Sequence, residues 1–274
     1  MQTVTSNDGT TIAYDRYGDG PALILVAGAL GYRNFKKHVQ FAELLSEHCT
    51  VISYDRRGRG DSDEAGPFSV EREVEDIAAL IAAAGGRASL FGASSGGALA
   101  LRAAGADIGV ERAFVYEVPF FPDPNDKMPS ADYGQLLDEL VAAGDSVGAA
   151  KHFMRNAIGI PGPLVALMGL MPMFKQFAAS GLTLPYDWAA IGAHNACGQP
   201  LDPEEWASVT LPTLVAYGSK TTSALRKGSA ALAQVLPDAE LKSVERQTHN
   251  FSPKALAPVV TAFVADPAPV PAGR

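Results

Sequence analysis

Six residues, Gly92-Ala93-Ser94-Ser95-Gly96-Gly97, constrain this chain more than any others. They follow a short apolar run, Ala88-Ser89-Leu90-Phe91, and precede a helix-forming stretch from Gly97 to Ala104. A serine between glycines at a strand-to-helix junction has the G-x-S-x-G form, in which the serine occupies a strained turn and pushes its oxygen into the open. Side chains two residues to either side would collide there, so small residues are obligatory. The helix that follows aims free backbone N–H groups and its positive end at any oxyanion formed in front of the serine. The same pattern shifted by one, Ala93-Ser94-Ser95-Gly96-Gly97, also fits if alanine is tolerated at its first position; Ser94 is the favoured centre.

Around this turn, β-like runs alternate with helix-like segments. Ala22-Leu23-Ile24-Leu25-Val26, Thr50-Val51-Ile52-Ser53-Tyr54, Ala113-Phe114-Val115-Tyr116 and Thr213-Leu214-Val215-Ala216-Tyr217 are near-continuous apolar runs, as strands covered on both faces require. Between Tyr54 and Ala88 a helix is expected, with Ser69 as its cap, Glu71 and Glu73 near its positive end, and Val70, Val74, Ile77 and Ile81 on one face. Gly85-Gly86 ends it. The first residues suggest an antiparallel edge hairpin turned at Asn7-Asp8-Gly9. The rhythm predicts an α/β fold: a mostly parallel, eight-stranded sheet flanked by helices.

The rhythm breaks between Val118 and Leu211, too long a gap for neighbouring strands. A helical lid inserted between strands 6 and 7 is expected there, over 118–211, with residues 1–117 and 212–264 forming the core and 265–274 a disordered tail. Within the insertion, Leu136, Leu137, Leu140 and Val141 share a helical face, followed by a segment around Phe153, Met154 and Ile158. An apolar stretch after Pro161-Gly162-Pro163 carries Met168, Met171 and Met173, half of the six methionines, and both tryptophans, Trp188 and Trp206, also fall in the insertion. These residues either line a pocket or form the insertion's own small core.

Composition narrows the function classes. With 22 Lys and Arg against 30 Asp and Glu, the net charge is −8, which opposes nucleic-acid binding. Cys49 and Cys197 form neither a disulfide framework nor a metal cluster, and the five histidines show no metal-binding spacing, so no cofactor and no metal are expected. The N-terminus lacks a secretion pattern, and no apolar stretch approaches the ~20 residues a membrane span needs. A soluble, cytoplasmic protein acting on a small molecule is the expectation.

At this point the chain resembles the α/β-hydrolase family along nearly its whole length, and four landmarks occur in family order. Beside the serine turn these are Val26-Ala27-Gly28-Ala29-Leu30 after the third strand, Asp55-Arg56-Arg57-Gly58-Arg59-Gly60-Asp61-Ser62 after the fourth, and Gln247-Thr248-His249-Asn250 after a last strand at 241–244. The Asp55–Ser62 stretch looks like the family's D-x-R-G-x-G-x-S turn, so its basic cluster reads as a folded loop and not as a phosphate site. By the resemblance, Ser94 is the nucleophile and His249 the base, while the N–H groups of Ala29 and Ser95 form the oxyanion hole. Ala27-Gly28 stands where many members have His-Gly, so that histidine's side-chain contact is lost and the main-chain donor is kept.

The family's usual acid position is empty. The loop after the seventh strand reads Gly218-Ser219-Lys220-Thr221-Thr222, and no Asp or Glu occurs from Leu214 to Pro237. A serine–histidine pair still needs a carboxylate to fix the imidazole tautomer. Glu117, at the end of the sixth strand, is the candidate, since some members take their acid from this place; Asp123 and Asp126 are weaker alternatives. His38, His48, His152 and His194 are expected to be solvated or packed. The expected activity is that of a serine hydrolase, a carboxylesterase or lactonase, cleaving a partly hydrophobic ester or lactone through Ser94, His249 and Glu117 and an acyl-enzyme. Leu30, Phe153, Met154, Met168, Met171 and Trp188 are the expected substrate-binding residues. Two alternatives stay open: carbon–carbon hydrolysis, lyase or cofactor-free oxygenase chemistry on the same fold, and a catalytically silent binding protein.

Overall fold

Eight strands form one sheet in the order β1-β2-β4-β3-β5-β6-β7-β8, as a computed structural model covering residues 1–265 describes it, the side chains of Pro172, Met173 and Gln176 excepted. The hairpin β1 (Gln2–Thr5) and β2 (Thr11–Tyr17) is antiparallel, and β2 also runs antiparallel to β4 (Thr50–Tyr54). From there β3 (Ala22–Val26), β5 (Ala88–Ala93), β6 (Val110–Tyr116), β7 (Thr213–Gly218) and β8 (Ala239–Val244) are all parallel. The last strand starts two residues before the expected Leu241. Its residues 240–243 are exposed, as an edge strand allows, so it lacks the apolar run that marks the central strands.

Helices cover both faces of the sheet. On one, α2 (Val70–Ala83), α3 (Ser95–Ala104) and α10 (Ser223–Val235) pack Ile77, Leu80, Leu99 and Leu232 onto Ile24, Leu90 and Val115. On the other, α1 (Lys36–Leu45) and α11 (Pro253–Ala265) pack Phe41, Leu45, Leu256 and Val260 onto Leu23, Phe91 and Phe114. Ser69 occupies the α2 cap position, but its side chain makes no capping hydrogen bond. Glu73 departs further from its expected role, because it is buried and paired with Arg56. Residues 266–274 of the tail expected from 265 lie outside the described residues, while Ala265 itself ends α11.

Between β6 and β7 the chain forms α4 (Tyr133–Ala142), α5 (Ser146–Asn156), α6 (Gly162–Met168), α7 (Pro172–Ala178), α8 (Leu184–Ile191) and α9 (Pro203–Trp206). These helices share a small core of Tyr133, Leu137, Met154, Val165, Phe174 and Leu184, with Leu30 inserted from the core loop after β3. Full burial of a side chain like Leu30 contributes about 1.5 to 3 kcal/mol, which ties the insertion to that loop. Of the expected α4 face, Leu137 is buried and Leu136 is exposed. Trp206 packs against Phe120 in the main core, away from the insertion's own cluster.

Candidate active site

The elbow has the geometry its sterics demand. Ser94 has φ 57°, on the left-handed side that non-glycine residues avoid, and Ser95 begins α3, so Ser94 is the residue at the apex. A Cβ on Gly92 would lie 2.3 Å from the Gly96 carbonyl oxygen, and one on Gly96 2.3 Å from that of Val26. Neither position tolerates a side chain. Leu30 (φ 61°) and Glu117 (φ 47°) share this backbone state, and both belong to the loops that flank Ser94. Such conformations cost about 1 to 3 kcal/mol each and persist where packing over-determines them, a pattern typical of functional sites.

Glu117 leaves β6 fully buried, and its carboxylate is held from three directions. Gly218 N–H donates to Oε1 at 2.8 Å, the Thr221 hydroxyl donates to Oε2 at 2.9 Å, and His249 Nδ1 lies 2.9 Å from Oε2. The loop after β7, which carries no acid of its own, thus supports an acid supplied by the neighbouring strand. Tyr116 adds a bond to the base loop, its hydroxyl donating to the Thr248 carbonyl at 2.8 Å. With Nδ1 directed at a carboxylate, Nε2 of His249 is the nitrogen left for proton transfer. The imidazole is 47% exposed and lines the same cavity as Ser94. No Ser94–His249 contact within hydrogen-bond distance is found among the described residues. Asp123 and Asp126 stand apart from this cluster and hold Lys227 at 2.5 and 3.1 Å.

On the opposite side of Ser94, the 27–31 loop is fixed by a buried ionic cluster. Arg56 donates to Glu73 at 2.6 and 2.7 Å, to Asp187 at 2.5 Å and to the Ala27 carbonyl at 3.1 Å. Arg59 donates to Asp187 at 2.7 Å, to the Thr183 hydroxyl at 2.8 Å and to the Gly28 carbonyl at 2.8 Å. The basic cluster of the 55–62 turn is therefore a structural one, and one of its anionic partners, Asp187, comes from α8 in the insertion. Burial pushes the Asp187 carboxyl up, but the Arg56 and Arg59 charges outweigh it and hold the group below its ordinary range. The same carboxylate accepts a hydrogen bond from the Ser95 hydroxyl at 2.8 Å, and that hydroxyl in turn accepts the Ala29 N–H at 2.9 Å. The N–H expected as the second oxyanion donor is thus already oriented, by the side chain next to Ser94.

A cavity of about 640 Å³ opens in front of Ser94. Of the residues expected to bind substrate, Phe153 and Trp188 line it, with Tyr133 packed edge-on to Trp188 at 4.8 Å between ring centres. Four expected lining residues lie elsewhere. Leu30 and Met154 are buried in the insertion's small core, Met168 packs against that core, and Met171 is 51% exposed. A methionine's place in a stripe cannot be read from spacing when a helix is short and its neighbours unknown. Met128 takes the place of these residues on the cavity wall.

Other lining residues were not expected. His38, in α1, donates from Nδ1 to the Tyr32 carbonyl at 3.0 Å, and burial lowers its pKa, leaving a neutral ring on the wall. Lys37 and Lys127 are also lining residues. Of the remaining histidines, His152 bonds the Tyr133 carbonyl, His194 pairs with Glu205, and His48 is exposed. Among the described residues, no group of three or more His, Cys, Asp or Glu is placed to hold a metal ion, and no helix is long and apolar enough to cross a membrane.

Residues 23–261 match the model of the alpha/beta hydrolase family. An alpha/beta hydrolase from Sphaerobacter thermophilus is 43% identical, with a TM-score of 0.85 over 96% of this chain and 99% of that one. A non-heme chloroperoxidase from Streptomyces lividans is 28% identical over 96% of this chain and 99% of its own length. An esterase from Thermogutta terrifontis, 20% identical with a TM-score of 0.64 over 96% of each chain, shares the fold. The chain belongs to the alpha/beta hydrolase family.

Proposed function

As a member of that family, we propose, this protein hydrolyses a carboxylic ester or lactone through Ser94, His249 and Glu117. The observation that carries the reading is the buried Glu117 carboxylate at 2.9 Å from His249 Nδ1, with two further donors holding it in place. That contact also counts against a silent binding protein, which has no use for a strained, buried acid behind an imidazole.

In this reading Ser94 Oγ attacks the carbonyl carbon while His249 Nε2 accepts its proton, and Glu117 stabilises the imidazolium that results. The developing oxyanion takes the Ser95 N–H and draws the Ala29 N–H from the Ser95 hydroxyl, each donor contributing about 3 to 4 kcal/mol. His249 returns its proton to the leaving alkoxide, and a water activated by the same imidazole then cleaves the acyl-enzyme. The 118–211 insertion acts as a lid in the sense that Tyr133, Phe153 and Trp188 supply apolar cavity wall.

Labelling with a fluorophosphonate, followed by peptide mapping, tests the nucleophile, and a series of p-nitrophenyl esters of increasing acyl length tests the cavity. The expected result is an adduct on Ser94 that disappears in Ser94→Ala together with ester turnover. A substrate processed equally well by Ser94→Ala would overturn acyl transfer in favour of carbon–carbon, lyase or oxygenase chemistry with His249 as the base.

A further inference from the structure

We propose that the cavity selects esters or lactones carrying a carboxylate, which the ammonium group of Lys37 binds beside His249. This inference rests on the ester-hydrolase reading of the same site and adds the charge of its substrate.

The argument starts from the charges on the wall. Lys37, Lys127 and Asp187 are the lining residues with full charges among those described. Asp187 is consumed, since two buried arginines and the Ser95 hydroxyl occupy its oxygens. The lysines make no ion pair among the described residues. Lys37 is held in position: its Nζ donates to Asn250 Oδ1 at 2.7 Å and sits 3.8 Å above the Phe251 ring. Asn250 and Phe251 directly follow His249, so the ammonium stands at the loop that carries the base. An ammonium has three donors and Asn250 takes one. Burial without a compensating carboxylate lowers its pKa to about 8, so at neutral pH it is still a cation.

The rest of the wall sharpens the choice. It is largely apolar, with Phe41, Phe91, Phe121, Phe153, Phe177 and Trp188 among its members. Lys127, from the stretch after β6, adds a second positive charge to the same cavity. On a chain of net charge −8, a cavity whose uncompensated charges are all positive concentrates anions locally. An anionic ester gains a charge-assisted contact that also orients its carbonyl.

Matched substrates test this. Mono-p-nitrophenyl glutarate against p-nitrophenyl butyrate places the carboxylate in the acyl part; 4-butyryloxybenzoate against its methyl ester places it in the alcohol part. We expect at least one anionic member to exceed its neutral partner in kcat/KM by about tenfold. Lys37→Met should bring that ratio close to one, Lys37→Arg should keep most of it, and salt at about 0.5 M should reduce it. A ratio near one for both pairs in the unmodified protein, or an unchanged ratio in Lys37→Met, overturns the proposal. Calorimetric binding of 4-phenylbutyrate and 4-phenylbutanamide provides a readout without turnover, with the acid expected to bind about tenfold tighter and Lys37→Met to abolish the difference. Absence of both ester cleavage and Ser94 labelling defeats the hydrolase reading instead, while the calorimetric pair still decides the fate of Lys37.

Discussion

On one side of Ser94, a single carboxylate, Glu117, orients a half-exposed imidazole, and its partners come from strand ends and loops at one edge of the sheet. On the other, Arg56, Arg59, Glu73 and Asp187 form a buried ionic cluster that grips the carbonyls of Ala27 and Gly28 and, through Ser95, the Ala29 N–H. The base arm, that of Glu117, draws on the core alone and leaves the His249 imidazole half-exposed. The oxyanion arm is rigid and spans two parts of the chain, because its carboxylate at 187 belongs to the insertion. One arm can be damaged with little cost to folding; the other cannot.

Glu117→Gln should separate the arms most sharply. The amide nitrogen must face either the Gly218 N–H or the Thr221 hydroxyl and His249 Nδ1, so at least one donor loses its acceptor. Turnover should fall by about 10³-fold or more, with a much smaller effect on the urea midpoint. Equal activity would remove Glu117 from the base arm.

Asp187→Ala should strike stability and turnover together. Removing it leaves Arg56 and Arg59 buried without their shared anion, at a cost of about 3 to 5 kcal/mol in chemical denaturation. The folded carboxyl is held below its unfolded pKa, so its contribution is full above about pH 4 and is lost as acid takes the pH down through the folded value. The variant should therefore lack this part of the acid destabilisation. A variant as stable as the unmodified protein would show that the insertion does not brace the oxyanion loop.

Ser95→Ala is a finer cut through the oxyanion arm, deleting the hydroxyl that orients the Ala29 N–H. A fall in kcat of about tenfold with KM little changed is expected, and Ser95→Thr should restore part of it. The Lys37 cation gives a pH signature that neither arm supplies. It faces Asn250 and Phe251 on the base loop, its charge is felt by the neighbouring His38, and that charge is lost as pH rises through about 8. Preference for an anionic over a neutral ester should be largest below that pH and decline above it, with the midpoint moving upward when the anion binds. Thr221→Val should have the smallest effect, a few-fold loss of turnover at constant stability, since Gly218 and His249 still hold the carboxylate.

Much of this arrangement was legible in the residues. Gly92 and Gly96 marked the elbow because no side chain fits at either place, and the apolar runs of β3 to β7 marked the sheet because buried strands need them. The absence of an acid from 214 to 237 directed attention to Glu117, which the structure does bring against His249. The methionines misled: Met154 and Met168 serve the insertion's own core and Met171 faces solvent, because helical spacing identifies a face without saying what lies opposite. Lys37 went unrecognised and His38 was read only as solvated or packed, as two polar residues at a helix start usually face water. Their place one loop beyond Ala29 was the only available hint.

Local sterics and hydrogen-bond chemistry act over a few residues, so the elbow, the strand rhythm and the need for a carboxylate beside His249 were decided by the sequence itself. The pairing of Asp187 with Arg56 and Arg59, the capture of the Ala29 N–H by Ser95 and the Lys37 ammonium at the base loop join residues about 70 to 210 positions apart. No periodicity encodes such contacts. Packing the insertion onto the sheet brings these charges together, and only burial makes the partner of each one obligatory.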